Sequence, residues 1–166
     1  MIKYILISLV LFSQIEGQQI THTELNKYGG IDFISYFKMV DRGVGIKLFK
    51  KVKYYYDGTK YSETNYNGET NNSKVKDGLM TFWYENGQKK EERTYKDNNE
   101  NGKWTKWWEN GQKKSERNFV VGENGGYQSG LMTEWYENGQ KRGEYNYKYG
   151  RRMSGTDWNE DGTVKN

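Results

Sequence analysis

The phrase "FWYENGQKKEERTY" (Phe82 to Tyr95) returns as "KWWENGQKKSERNF" (Lys106 to Phe119) and again as "EWYENGQKRGEYNY" (Glu134 to Tyr147). A chain that writes one phrase three times constrains its own fold. Each copy must form the same local unit, and a unit too small to hold a core alone must stack on its neighbours. Every copy is built around Asn-Gly: Asn86-Gly87, Asn110-Gly111 and Asn138-Gly139. Asp57-Gly58 and Asp161-Gly162 hold the same place in weaker copies, and the five glycines follow one another at 29, 24, 28 and 23 residues. Asn-Gly and Asp-Gly between alternating flanks are strong hairpin signals, because a two-residue type I′ turn needs positive φ at both central positions. The reading is therefore one β-hairpin per anchor, with extra residues in two of the loops between hairpins.

A two-residue turn fixes register. Counted outward from it, Trp83 faces Lys90, Trp107 faces Lys114 and Trp135 faces Arg142, each a cation beside an indole. Thr81, Thr105 and Thr133 then face Glu92, Glu116 and Glu144. Gly78, Gly102 and Gly130 face Tyr95, Phe119 and Tyr147, an arrangement in which a ring can cover a bare strand glycine. One face of each hairpin carries Trp83, Trp107 or Trp135. The other carries Tyr84, Trp108 or Tyr136, with Met80, Trp104 or Met132.

Composition agrees with a thin β architecture. Apolar residues are 33% of the chain, too few for a thick aliphatic core, whereas aromatics reach 16%, too many for a disordered chain. The fold expected is all-β: an elongated single-sheet solenoid of stacked antiparallel hairpins over residues 51–166, with residues 18–50 as an N-terminal capping segment that shows no clear copy of the phrase.

The shared pattern is Gly-x-x-Thr-x-Trp-Tyr-Glu-Asn-Gly-Gln-Lys-Lys followed by Glu and an aromatic, clearest from Gly78 to Tyr147. It resembles the bacterial variant of the MORN repeat, as in the YwqK-like antitoxin family. The resemblance implies a single-layer sheet of MORN-like hairpins used as a binding scaffold, and a toxin–antitoxin label. The first copy departs from the pattern, with Phe49 in place of Gly and Val52 in place of Thr.

The N-terminus places Lys3 ahead of an apolar run from Tyr4 to Phe12, with small residues at Ser13 and Gly17. This reads as a signal peptide over 1–17, cut near Ser13 or Gly17, and the run is too short to span a bilayer. An exported protein, periplasmic or secreted and without stable membrane insertion after processing, is expected. The chain has no Cys, which excludes disulfides, thiolate metal sites and a lipid-anchored N-terminal cysteine. The net charge of +4 is mild, lysines alternate with glutamates, and no nucleic-acid motif is present, so no nucleic acid partner is expected.

The function expected is non-catalytic binding of a protein partner, with glycan or cell-envelope binding as the alternative, since rows of Trp and Tyr stack sugars as well as proteins. The candidate surface consists of the rows Trp83, Trp107, Trp135 and Tyr84, Trp108, Tyr136, together with Phe82, Lys106 and Glu134, one position that changes chemistry in each copy. The loops 67–77 and 120–129 are a further place for contacts. An enzyme is not expected. The one histidine, His22, lies outside the repeats, and Glu85, Glu109 and Glu137 share one repeat position, unlike an acid/base pair held in two environments. No cofactor and no metal site is expected.

Overall fold

No proline interrupts the chain, so nothing removes a donor from a β-ladder. In the computed structural model, which describes residues 19–39, 46–67, 75–123 and 125–165, all the regular structure is β-strand. Residues 1–17, read from the sequence as a signal peptide, lie outside the described residues. The strands are β1 (Gln19–Leu25), β2 (Ile31–Met39), β3 (Ile46–Tyr54), β4 (Lys60–Asn67), β5 (Val75–Trp83), β6 (Lys89–Lys96), β7 (Asn99–Trp107), β8 (Lys113–Gly122), β9 (Gly125–Gln128), β10 (Gly130–Trp135), β11 (Lys141–Lys148) and β12 (Arg151–Asp157). They form one open antiparallel sheet in chain order, except that β8 pairs with both β9 and β10. The hairpin solenoid read from the repeat is the fold.

The turn at each anchor differs from the two-residue expectation. The Gly87 N–H donates to the Tyr84 carbonyl at 3.0 Å, and the Tyr84 N–H donates to the Gln88 carbonyl at 2.8 Å. The loop is therefore three residues, Glu85 to Gly87, with positive φ (81°) at Gly87 and not at Asn86. This is the other common hairpin solution, a turn followed by a left-handed glycine. The asparagine favours it, since its side-chain oxygen accepts the Gln88 N–H at 2.9 Å. The same bonds recur at Trp108–Gln112, Tyr136–Gln140, Tyr55–Thr59 and Asn159–Thr163. The two-residue turns with positive φ at both positions lie instead between hairpins, at Asp97-Asn98 and Tyr149-Gly150.

The change of loop corrects the register near the turn. Trp83, Trp107 and Trp135 pair with Lys89, Lys113 and Lys141, and a bulge on the returning strand leaves Lys90 and its counterparts as the extra residue. Further from the turn the register is as read: Thr81 opposite Glu92, Gly78 opposite Tyr95, and likewise in the next two copies. Those glycines are not covered by rings. Gly78, Gly102 and Gly130 adopt φ of 91°, 81° and 84°, and that conformation is what requires glycine. Rings do lie over other strand glycines: Tyr145 over Gly143 and Gly155, and Tyr127 over Gly122.

The N-terminal segment continues the same sheet. Asn26 to Gly30 repeats the three-residue turn, with the Gly29 N–H on the Asn26 carbonyl at 3.1 Å, and β2 pairs with β3. One row then crosses the strands: Val52, Glu63, Thr81, Glu92, Thr105, Glu116, Thr133, Glu144 and Thr156, each paired with the next. Val52 and the threonines at 81, 105 and 133 are buried. No described large side chain falls below 2% exposure, as befits a single layer. The described residues of 120–129 include the β8–β9 pair, while the extra residues between β4 and β5 fall in 68–74, outside the described residues.

Candidate functional site

The two faces are chemically different. One, the threonine face, carries the Val52–Thr156 row and the tryptophans Trp83, Trp107 and Trp135. The other, the arginine face, carries Phe82, Glu91, Arg93, Trp104, Lys106 and Arg117, which pair with one another across β5 to β8, and Tyr95 and Phe119, two residues further along their strands.

On the threonine face the repeated phrase builds a ladder from hairpin to hairpin. Lys89 bonds Glu92 at 2.5 Å and reaches over the Trp107 ring of the next hairpin at 5.8 Å. Lys60 does the same with Glu63 (3.1 Å) and Trp83 (4.8 Å), Lys113 with Glu116 (2.8 Å) and Trp135 (5.7 Å), and Lys141 with Glu144 (2.6 Å) and Trp158 (5.8 Å). Burial opposes ionisation of Glu116, but hydrogen bonds and charge from Lys103 and Lys113 outweigh it and lower its pKa.

At the turns a second ladder runs through the other aromatic row. Tyr55 donates to the Trp83 carbonyl at 2.8 Å, Tyr84 to Trp107 at 2.9 Å, Trp108 to Trp135 at 3.2 Å and Tyr136 to Trp158 at 2.8 Å. Beside it Asn86 donates to the Glu109 carbonyl at 3.0 Å and Asn110 to Glu137 at 2.9 Å. The glutamates Glu85, Glu109 and Glu137 are exposed loop residues. All six rings of the two rows are half-buried and tie neighbouring copies together.

The cations beside the tryptophan row are not Lys90, Lys114 and Arg142 as the two-residue turn predicts. Because of the bulge, Lys89, Lys113 and Lys141 accompany the tryptophan row, and Lys90 and Lys114 lie over Tyr84 (5.2 Å) and Trp108 (4.0 Å). The variable position Phe82, Lys106, Glu134 falls on the arginine face, half-buried in each case. Phe82 meets Tyr61 edge-on at 5.8 Å, Lys106 approaches Glu91 at 3.4 Å, and Glu134 approaches Arg142 at 4.0 Å.

The densest cluster was not legible as a site. Glu91 is 9% exposed and accepts from Arg93 at 2.8 Å and from the Trp104 indole N–H, with Lys106 alongside. Arg93 and Arg117 flank the Trp104 ring at 4.3 and 5.3 Å, and Phe119 packs on it at 5.1 Å. Burial resists ionisation of Glu91, yet the Arg93 and Trp104 hydrogen bonds and the Arg93 and Lys106 charges hold its carboxyl below the usual range. The available signal was a carboxylate at a position that holds Ser62, Ser115 and Gly143 in the other copies. Near the C-terminal edge, burial and then the hydrogen bond to Asp157 (2.5 Å) push Tyr145 up to about 12, with Arg152 over its ring at 4.1 Å.

His22 is exposed on β1 opposite Ser35, and among the described residues no group of three His, Cys, Asp or Glu is placed to hold a metal.

Comparison with known proteins adds one similarity. No curated protein matches the chain. A crystal structure of a protein of unknown function from Bacteroides fragilis NCTC 9343 aligns over 90% of this chain and 88% of that one, at 14% identity and a TM-score of 0.24, too low to inform fold or function. Residues 76–97, 100–120 and 128–149 match the family model of the MORN repeat variant, so the three clear copies are similar to that repeat.

Proposed function

We propose that the chain is a non-catalytic repeat scaffold, exported from the cytoplasm, that binds a protein partner on its arginine face. The observation that carries this is the division of labour between the faces. The repeated residues are engaged in copy-to-copy contacts, while the arginine face gathers Phe82, Trp104, Phe119 and two arginines around a point where the copies differ. Aromatics and arginine are the residues enriched in the centres of protein interfaces. The envelope-glycan alternative needs ring faces open to sugars. One face of each of Trp83, Trp107 and Trp135 is taken by a lysine, so the protein reading is preferred. Neutralising a toxin, as the YwqK-like resemblance implies, is one form such binding can take. Export is supported by the Lys3 to Phe12 segment.

Affinity capture with the full chain, followed by mass spectrometry and cross-link mapping, tests this reading. One stoichiometric protein cross-linked at β5–β8, and lost on Trp104→Ala with native circular dichroism, is expected. Cross-links confined to the threonine face, or capture of glycan alone, would overturn it. N-terminal sequencing of the cellular protein tests export: a chain beginning after Ser13 or Gly17 is expected, and one that retains Met1 in the cytoplasm contradicts it.

A further inference from the structure

We infer that the partner segment docking on the arginine face is acidic; this deepens, and rests on, the scaffold reading above. Besides the paired Arg93, Lys106 and Arg142, the arginine face carries cations with no acidic partner. On the threonine face, Lys60, Lys89, Lys113 and Lys141 each hold a glutamate of their own strand. On the arginine face, Arg117 lies over Trp104, Lys114 over Trp108, Lys90 over Tyr84 and Lys76 over Tyr95 at 5.0 Å. None of these four makes an ion pair among the described residues. Lys53, exposed and in the same cross-strand row as Ser62 and Phe82, makes none either.

A cation resting on a ring is held in place and partly stripped of water, but its charge is not neutralised. Its remaining N–H groups can donate to an incoming carboxylate with little further ordering, which lowers the entropic cost of binding. Arg117 adds a planar fork suited to bidentate carboxylate recognition. The face therefore presents fixed, unpaired cations between aromatic rings, and the chemistry that complements it is a carboxylate-bearing peptide with apolar side chains between its acids.

A membrane surface fits less well. The exposed leucines Leu79 and Leu131 point to the opposite face, since they pair with Thr94 and Asn146. The change from Phe82 to Lys106 to Glu134 also makes the face uneven along its length, which suits one irregular protein surface rather than a uniform charged sheet.

Calorimetric titration of the full chain with poly-L-glutamate at low ionic strength tests the inference, with poly-L-glutamine and phosphatidylglycerol vesicles as comparisons. Binding of poly-L-glutamate and not poly-L-glutamine is expected. Lys53→Gln, Lys114→Gln and Arg117→Gln together should weaken it by about tenfold or more, whereas Lys60→Gln, Lys89→Gln and Lys141→Gln together should change it by less than about twofold. Arg117→Lys in the first set should restore part of the loss. If that triple variant loses its native circular dichroism, the double variant Lys53→Gln/Lys114→Gln is read instead, and a loss of about threefold or more is required. Absence of poly-L-glutamate binding, equal loss in both sets, or tighter binding to the vesicles overturns the inference. If natural-partner capture at β5–β8 persists in the variants, only the acidic-segment inference falls; if no protein partner is captured at all, the scaffold reading falls with it.

Discussion

Replacing Glu91 with alanine removes the acceptor shared by Arg93, Trp104 and Lys106 at the β6–β7 junction. The carboxylate is nearly buried, and its two charged partners keep 27% and 38% of their side-chain surface. A fully buried pair that loses one member costs about 3–5 kcal/mol. The partial exposure of Arg93 and Lys106 lets both recover water, so the loss here should be about 2–3 kcal/mol, with the Trp104 N–H the group least able to recover. Glu91→Gln keeps an acceptor of the same size and should cost about 1 kcal/mol. Urea denaturation at neutral pH measures both. The pH dependence gives a second check. The folded carboxyl titrates below its unfolded value of about 4.5, so the unfolded state binds more protons in that range. The stabilisation is thus complete above about 4.5 and is lost as pH falls through the lower, folded pKa. The gap between wild type and Glu91→Gln should close over that acid window. Equal, small losses of under about 0.5 kcal/mol for both variants, with no change on acidification, would refute the reasoning and show that solvent screens the cluster.

The turn glycines should rank. A Cβ at Gly87 meets no atom, whereas at Gly111 and Gly139 it runs into Gln88 and Gln112 of the preceding copy. All three adopt positive φ, so Gly87→Ala should cost about 1 kcal/mol and the other two somewhat more by thermal melting. Valine at any of the three should cost about 1–3 kcal/mol, because a β-branched residue is strongly disfavoured there. Tyr145 stabilises the protonated phenol in the folded state, so its contribution is complete below its unfolded pKa of about 10 and is lost as pH rises towards about 12. Burial also raises Tyr54, Tyr55, Tyr66 and Tyr84, so absorbance titration should show several tyrosines ionising late, and Tyr145→Phe should shrink the latest step by one tyrosine.

The repeat made the hairpins legible because a left-handed glycine and its asparagine are local requirements, written wherever the turn occurs. Pairs far from the turn were legible too, since Thr81–Glu92 and Gly78–Tyr95 do not depend on how the bulge is placed. The pairs beside the turn were not. Two-residue and three-residue loops share the Asn-Gly signal, and the difference of one residue exchanges Lys89 and Lys90 between faces. The β1–β2 hairpin escaped notice because its loop holds Tyr28-Gly29 rather than Asn-Gly, although Gly29 stands the same 29 residues before Gly58 as Gly58 stands before Gly87. The Glu91 cluster depends on which strands become neighbours across Asp97-Asn98, information that no single copy of the phrase contains.

The central claim is that the repeated residues hold one hairpin to the next. Native-state hydrogen exchange on the variant Tyr84→Phe/Asn86→Ala tests it most directly, because both changed side chains donate to main-chain carbonyls of the following copy, at Trp107 and Glu109. Two hydrogen bonds between copies, of about 1 kcal/mol each, are removed, together with the Asn86 side chain's bond to the Gln88 N–H inside its own turn. The account predicts that the turn amides of Trp108 and Gly111, in the next hairpin, exchange up to about thirtyfold faster, at an energy scale of about 1.4 kcal/mol per tenfold. Faster exchange confined to the altered hairpin, with Trp108 and Gly111 unchanged, would contradict it.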